Sequence, residues 1–572
     1  MRLPRFGNVR SPTRREFVPA RGINYTENIT DGDLALCENL SARRWPCLAS
    51  RPRRVQQTGP NRVYALYEWN GRVEIRVETE GELQEDKTYL YYRGVKIGEL
   101  DEYYEPGKRQ FAAVNTKLVI WPDKVYLDLS DPEHPKIVDM GVELEASSFT
   151  FNRGTTETLQ ENGYTAVSTW STVQVSIIQK PGGNITLLDV LKIGDGIELS
   201  GITGTYAENN RAVIIKDLTA DTITIQGNPF KTAVDASGNP VATTVTADPG
   251  SPFNLVRPIP ELDFICESGN RLWGCSNDTR TIYSSVLGDP TNFFVYDGLS
   301  TDGYALPVAT DGDFTGCCRL SSSLLFWKEK RLHKIIGDYP AEYVMYTYEM
   351  EGLRAGCHKS MQILNDVLFY VGLHGVFTYA GGNPSDISRA FGDRVLTEAA
   401  AGNDGERYFL SCKENGEKAF YVYSAAEGIW LREDKTLCRD FIREGTEVAF
   451  LKEDGSIWKT EGDPDTDAGE TAEEEIDWSL TFTPFREAVE GRKRYSRLLI
   501  RAEVPLGAWL EAKVSCDGGR TESVGRIVGK DEDVSQLWIR PNRCDKFEVT
   551  LRGHGPCVIR NVMREFTVGG AM

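Results

Sequence analysis

The chain has 572 residues, 40% of them hydrophobic and 26% charged, and its 54 Gly, 26 Pro, 11 Trp, 24 Tyr and 23 Phe favour strands and turns in an otherwise ordinary globular composition. Its length exceeds the ~250–300 residues that a single core usually supports, so several domains are expected, and no apolar run approaches the roughly 18 residues of a membrane-crossing helix. The net charge of −19 is uneven: residues 1–54 hold 11 Arg, no Lys and five acids, which leaves −25 on the remainder, a balance that disfavours nucleic-acid binding over the body.

Residues 1–55 read as an extended, Arg-rich arm. The segment is basic but has no apolar centre of the kind a signal peptide needs, so the protein is expected to be cytoplasmic when made. Arg2, Arg5, Arg10, Arg14, Arg15 and Arg21 are its candidate contacts, either with an acidic neighbouring subunit or with nucleic acid. Helical spacing is confined to short pieces at Gly392–Ala401 and Asp33–Asn39, and the rest of the chain is mostly β.

Eight hairpins begin at Arg62, Thr88, Thr116, Arg271, Ser323, Asp366, Lys418 and Glu447. Each has an apolar strand, a polar turn and a second strand with an aromatic or aliphatic centre. Asn70-Gly71 and Asp454-Gly455 are dipeptides of the tightest hairpin turns, where both central residues take positive φ. The starts at Arg271, Ser323, Asp366 and Lys418 lie 52, 43 and 52 residues apart. That is near the ~40–50 residue period of propeller blades, and the hairpins allow about five to eight blades. The predicted fold is therefore all-β: a β-propeller over 56–142 and 256–460, interrupted by a small barrel or sandwich at 143–255 whose strands are Thr-rich and poor in aromatics. The alternative is that 143–255 supplies blades of its own. Residues 461–477, with nine acids and no base, read as a solvated linker, and 478–572 as a C-terminal β-sandwich of six strands.

Candidate chemistry is sparse. His333, His358 and His374 fall in or between consecutive blades and would be placed to converge on an axial channel, but no zinc-like ligand spacing accompanies them. Asp463-x-Asp465-x-Asp467 with Glu474 resembles a calcium loop, yet Ala468 stands where the sharp turn needs Gly. Ser515-Cys516-Asp517-Gly518-Gly519-Arg520-Thr521 matches a single Asp-box turn, with Glu522 in place of the aromatic, and Asp-boxes are structural turns. Vicinal Cys317-Cys318 on an alternating strand would face opposite sides. The twelve cysteines are read as buried small hydrophobes. No catalytic, cofactor or metal site is assigned, and the chain is expected not to be an enzyme. Trp509 and Trp538 are candidate surface-binding aromatics of the sandwich; otherwise both are core residues.

Three regions carry a family resemblance. The first runs from Gly22-Ile23-Asn24 through Asp31-Gly32-Asp33-Leu34 and Glu38-Asn39-Leu40 to Ser50-Arg51-Pro52-Arg53-Arg54, with Cys37 where a small residue is usual and Arg53 in place of a common Gly. The second is the stretch from Arg271 through Tyr283-Ser284-Ser285 and Gly288-Asp289-Pro290 to Phe293. The third joins Leu325-Phe326-Trp327, His333-Lys334-Ile335-Ile336-Gly337, Gly372-x-x-Gly375-Val376-Phe377 and Ile387-Ser388. In this order they resemble the tail hub, tail nozzle and stabilisation proteins of tailed bacteriophages. The resemblance implies a structural virion subunit in a ring, commonly a hexamer, at the tail or neck. Genomic DNA would pass through it without sequence-specific binding, and portal, adaptor, tail or fibre proteins would be its neighbours. A receptor- or carbohydrate-binding tail-tip protein and a propeller glycoside hydrolase are the alternatives.

Overall fold

The computed structural model describes residues 13–17, 20–58, 62–80, 85–100, 108–161, 164–179, 184–462, 471–487, 491–530 and 534–568. It is an all-β protein built on a seven-bladed propeller. The innermost strands are Val63–Glu68, Gln110–Val114, Phe264–Ser268, Phe314–Leu320, Gln362–Leu364, Leu396–Asn403 and Cys438–Glu444, and they neighbour one another around the axis. Three further antiparallel strands follow each in the first six blades. The hairpins from Arg62 and Thr88 combine into one blade, so eight hairpins make seven blades.

Blade 7 is closed from the other end of the chain. Val55–Thr58 pairs with Ile457–Lys459 as its fourth strand, and Thr471–Ala472 adds outside it. Just before the closing strand, the fully buried Arg54 donates to Glu433 (2.8 Å), Asp434 (2.7 Å) and Thr436 (3.1 Å), with its guanidinium 4.5 Å from the Phe420 ring centre. Burial opposes the Arg54 charge, but Asp434 and Glu433 outweigh it and hold the group above its ordinary range. Arg51 donates to Glu473 at 2.6 Å and to Asn39 at 2.7 Å.

Side chains latch neighbouring blades through backbone groups of the inner strands. Gln110 of blade 2 donates to the Asp263 carbonyl (2.7 Å) and accepts from the Ile265 N–H (3.1 Å). Asn277 of blade 3 pairs in the same two-way manner with Phe314 of blade 4, at 3.2 and 2.7 Å. Gln362 of blade 5 donates to the Ala401 carbonyl of blade 6 (2.9 Å), and Asp440 of blade 7 accepts from the Leu66 N–H of blade 1 (3.1 Å).

Between blades 2 and 3, Val142–Glu161 and Tyr164–Ile177 form a long hairpin at the centre of an eight-stranded sheet. This sheet closes over its own core of Phe149, Phe151, Ile197, Leu199, Ile223 and Leu255. It is a separate domain and contributes no blade. Arg257 anchors it through Asp195 (2.8 Å) and the Met140 carbonyl (2.9 Å). At the other end of the chain, Lys493–Cys516 spans both faces of the C-terminal sandwich. Its first half pairs with Val534–Cys544 and Val558–Val568, and its second half with Glu522–Lys530 and Phe547–His554. Tyr495 stacks on Phe547 across the interior, 3.8 Å between ring centres.

Several expectations are corrected. The segment 1–55 is no free arm over its described residues: Thr13–Phe17 pairs with Met563 to Thr567, Leu34–Glu38 with the strand Asp477–Phe482, and Leu48–Ser50 with Val558 and Ile559. Leu34, Cys37, Leu40 and Leu48 are core residues, and the Arg-rich end is buried against carboxylates. The linker is structured at its far end, where Glu473 and Glu475 pair with Arg51 and Arg53, while 463–470, with most of the calcium-like loop, lie outside the described residues. Both helical readings fail through β-bulges. An irregularity between Leu34 and Leu36 turns the strand's inward spacing into Leu34 and Cys37, three apart like a helix face, and another lies between Thr397 and Ala400. The Ala-rich run 399–401 is small because it packs at the axis; a Cβ on adjacent Gly402 would stand 2.7 Å from that of Phe441. Asn70 and Gly71 have the expected positive φ of 52° and 139°, whereas of Asp454-Gly455 only the glycine does, at 79°.

Replacing Arg54 by Met should lower stability by roughly 3–5 kcal/mol, because it leaves Glu433 and Asp434 buried without their cation. Urea denaturation of the full chain reads this; a change under about 1 kcal/mol would show that closure does not depend on the pair.

Candidate functional site

All seven blades contribute to a cavity of about 260 Å³ on the propeller axis. A single turn of 3₁₀ helix, His358–Ser360, brings His358 and Lys359 to it, and Tyr408 fixes this turn by donating to the Ser360 carbonyl at 2.8 Å. Lys359 reaches across to Asp440, whose other oxygen already accepts the Leu66 N–H. The one carboxylate lining the cavity is thus paired with a cation of its own wall. Gln110 and Gln362 also line it, with their amides committed to the blade latches. Tyr67, Phe111, Phe264 and Phe441 supply the apolar wall.

His358 packs against Phe264, 5.3 Å between ring centres, and its Nε2 is buried without a hydrogen-bond partner among the described residues. Burial, with Lys359 beside it, pushes its pKa down to about 3. The three histidines read as convergent are apart. His333 is enclosed within blade 4 between Thr310 (3.0 Å) and Thr347 (2.9 Å), and His374 is exposed on a hairpin turn beside Glu351 (3.0 Å). Among the described residues no cluster of His, Cys, Asp and Glu is arranged to hold a metal. Cys317 and Cys318 face opposite sides of their strand, into the packing of blade 3 and blade 5 respectively, and burial pushes the Cys318 thiol up to about 12. All twelve cysteines are unpaired. The Asp-box-like turn is structural: Asp517, at φ 50°, accepts the Asp545 and Lys546 N–H groups at 2.9 Å each.

The two tryptophans occupy different halves of the sandwich. Trp509 is half-buried beneath Arg526, 4.1 Å from guanidinium to ring centre. Trp538 is 69% exposed and rests on Arg497 at 4.7 Å. Of the arm residues, Arg15 pairs with Glu565 at 3.0 Å within the same chain, Arg14 and Arg21 are exposed, and Arg2, Arg5 and Arg10 lie outside the described residues. Sequence reasoning missed Lys359 and Asp440, since nothing in their spacing announces that they meet across the axis. Nor does the sequence single out Arg494, Arg497 and Arg501, whose spacings of three and four hide that a β-bulge between Tyr495 and Arg497 brings them to one face of their strand.

No protein-family model and no curated protein matches the chain. Among solved structures, it is similar to the exo-β-1,3-galactanase of Phanerochaete chrysosporium in complex with β-1,3-galactotriose (9% identity, 58% of this chain and 98% of that one, TM-score 0.22). Hsv2 of Kluyveromyces lactis (9% identity, 48% and 88%, TM-score 0.26) and BBS1N in complex with ARL6DN (7% identity, 72% and 96%, TM-score 0.23) are also similar. At these values the likeness concerns the repeated blades and carries nothing about function.

The depressed His358 pKa has a direction. In the unfolded chain this group titrates near 6.5, so between pH 6.5 and 3 the unfolded state binds more protons and stability falls as pH is lowered. The expected contribution is a loss of about 2 kcal/mol from pH 6.5 to 5. Chemical denaturation at the two pH values should show a smaller drop for His358→Gln than for the parent; an identical drop would contradict a buried neutral imidazole.

Proposed function

We propose that this protein is a structural, non-enzymatic subunit of a tailed-phage virion, a tail hub, nozzle or head-tail connector protein that assembles as a ring around the path of the genome. What supports the reading is where the residues carrying the resemblance fall: they are joints. Ile23 donates to the Trp430 carbonyl at 2.9 Å, close to Gly22, where a Cβ would stand 2.9 Å from that same oxygen. Asn39 links Arg51 to the Asp477 carbonyl (2.8 Å), and Arg51 with Arg54 clamps the closing strand. Asp289 takes Lys192 of the inserted domain at 2.5 Å, and Asn292 holds the same domain through Gly194 (2.8 Å) and Gly196 (3.2 Å). Gly375 leaves room for Ser388, whose hydroxyl accepts the Val376 N–H at 2.7 Å and lies 2.1 Å from where a Cβ on Gly375 would be.

Joints of this kind fuse propeller, inserted domain and sandwich into one unit, which suits a subunit that transmits force in an assembly. A second reading, a receptor- or carbohydrate-binding tail-tip protein, is favoured by one observation, the exposed indole of Trp538.

Purified full-length protein is expected to give closed rings in negative-stain micrographs, with a mass by light scattering of several subunits, six being the commonest number the resemblance implies. A stable monomer that binds or cleaves polysaccharide would overturn the ring reading.

A further inference from the structure

The outer face of the sandwich sheet formed by the first half of Lys493–Cys516 and its neighbours is strongly basic on a chain that is otherwise acidic. Inward residues of this strand, Tyr495, Leu498 and Ile500, are buried in the core, so Arg494, Arg497 and Arg501 point outward. Arg543 lies opposite Arg494, Trp538 opposite Arg497, and Arg540 is exposed between them on the same neighbouring strand. On the other side, Glu565 lies opposite Arg497 and takes Arg15 from the edge strand. Among the described residues six arginines thus share this face with Glu565 and, two positions beyond Arg501, with Glu503, which pairs with Arg44 (3.8 Å) and Arg560 (3.6 Å); the face is basic where the chain beyond residue 54 carries −25. Arg494, Arg501 and Arg540 form no ion pair with any described residue.

The arrangement is built rather than merely solvated. Glu565 is buried and forks onto Arg497 with contacts of 2.9 to 3.0 Å, and Arg497 also donates to Gln536 at 3.0 Å. That guanidinium, fixed in place, supports one face of the Trp538 indole and leaves the other open. Adjacent strands lie ~4.8 Å apart and alternate residues ~6.8 Å apart, so the cations form a grid roughly 20 Å long beside an aromatic platform.

We infer that this face binds single-stranded nucleic acid, with phosphates on Arg494, Arg501 and Arg540 and an unpaired base stacked on Trp538. Every cation is Arg, whose planar fork matches phosphate oxygens, and a rigid platform among cations is what sequence-tolerant strand binding uses. An acidic protein partner would satisfy the arginines but leave the open indole without a role. A polysaccharide would use the indole, yet Arg494, Arg501 and Arg540 spread over this length fit a ligand with a charge on each unit. The inference does not rest on the virion reading, since it concerns the sandwich alone.

The test is fluorescence anisotropy of a labelled oligothymidylate titrated with the full-length protein, alongside quenching of tryptophan emission. Binding should weaken with salt at a log–log slope of about −2, from ~0.7 per phosphate neutralised and the three arginines Arg494, Arg501 and Arg540. Trp538→Ala should weaken it about tenfold and Arg494→Glu with Arg501→Glu by more, all variants keeping the parent melting temperature, while Trp509→Ala, on the other half of the sandwich, should change nothing. The inference is overturned if the oligonucleotide does not bind, if it binds equally to these variants and the parent, or if duplex DNA binds as well as the single strand and ignores Trp538→Ala. It is likewise overturned if an acidic polysaccharide outcompetes the oligonucleotide at this face, or if the arginine substitutions change only the oligomeric state.

Discussion

A propeller is a ring of sheets that must be shut, and in this protein the shutting strand is held by one buried cation. Arg54 sits immediately before Val55–Thr58, between Glu433 and Asp434 and over Phe420. Removing a guanidinium from water is expensive, and it is tolerated here because two carboxylates, a hydroxyl and an aromatic face replace the solvent together. The consequence reaches beyond blade 7. Just ahead of Arg54, Arg51 repeats the arrangement with Glu473 on the chain returning from blade 7. Both ends of the chain are thereby brought to one place, where Thr13–Phe17, Leu34–Glu38 and Leu48–Ser50 complete a sandwich otherwise made by residues 477 to 568. The propeller closes and the sandwich forms through the same few contacts.

This explains which parts were legible in the sequence. Blade hairpins announce themselves, because period-two alternation and a polar turn are local properties, and the Asn70-Gly71 turn has the expected backbone. The inserted domain was visible for the same reason, its strands changing from aromatic to Thr-rich over 143–255. What misled was the Arg-rich opening. Eleven arginines in 54 residues look like a solvated arm, since nothing local says that Glu433, Asp434 and Glu473, some 380 to 420 positions away, are their partners. The bulged strands misled differently: a single extra residue replaces a spacing of two by one of three, and the pattern then imitates a helix.

At the axis, the polar residues that a sequence reader takes for chemistry are occupied by architecture. Gln110, Gln362 and Asp440 each bind backbone groups of a neighbouring blade, and Lys359 answers the charge that Asp440 brings inside. Inner strands converge, so their backbone groups at blade borders have few partners of their own, and a side-chain amide that both donates and accepts is well matched to two adjacent groups. His358 is the exception, an imidazole whose Nε2 has no partner among the described residues, and its low pKa follows from burial in the apolar wall and then from Lys359 beside it.

The charge layout follows from the same division of labour. Arginines 51 and 54 are neutralised inside the protein, and so add nothing to the outer field, whereas the sandwich face gathers Arg494, Arg501 and Arg540 without an ion pair among the described residues, its acids Glu565 and Glu503 being bound by Arg15 and Arg497 and by Arg44 and Arg560. An overall charge of −19 therefore does not describe this surface. Within about 8–10 Å, the screening length at physiological salt, a ligand meets the local cations and not the distant acids. Acidic blades that repel a polyanion and a basic face that retains one are compatible in one chain, because the sheet that buries Tyr495, Leu498 and Ile500, with a β-bulge between Tyr495 and Arg497, also turns Arg494, Arg497 and Arg501 outward.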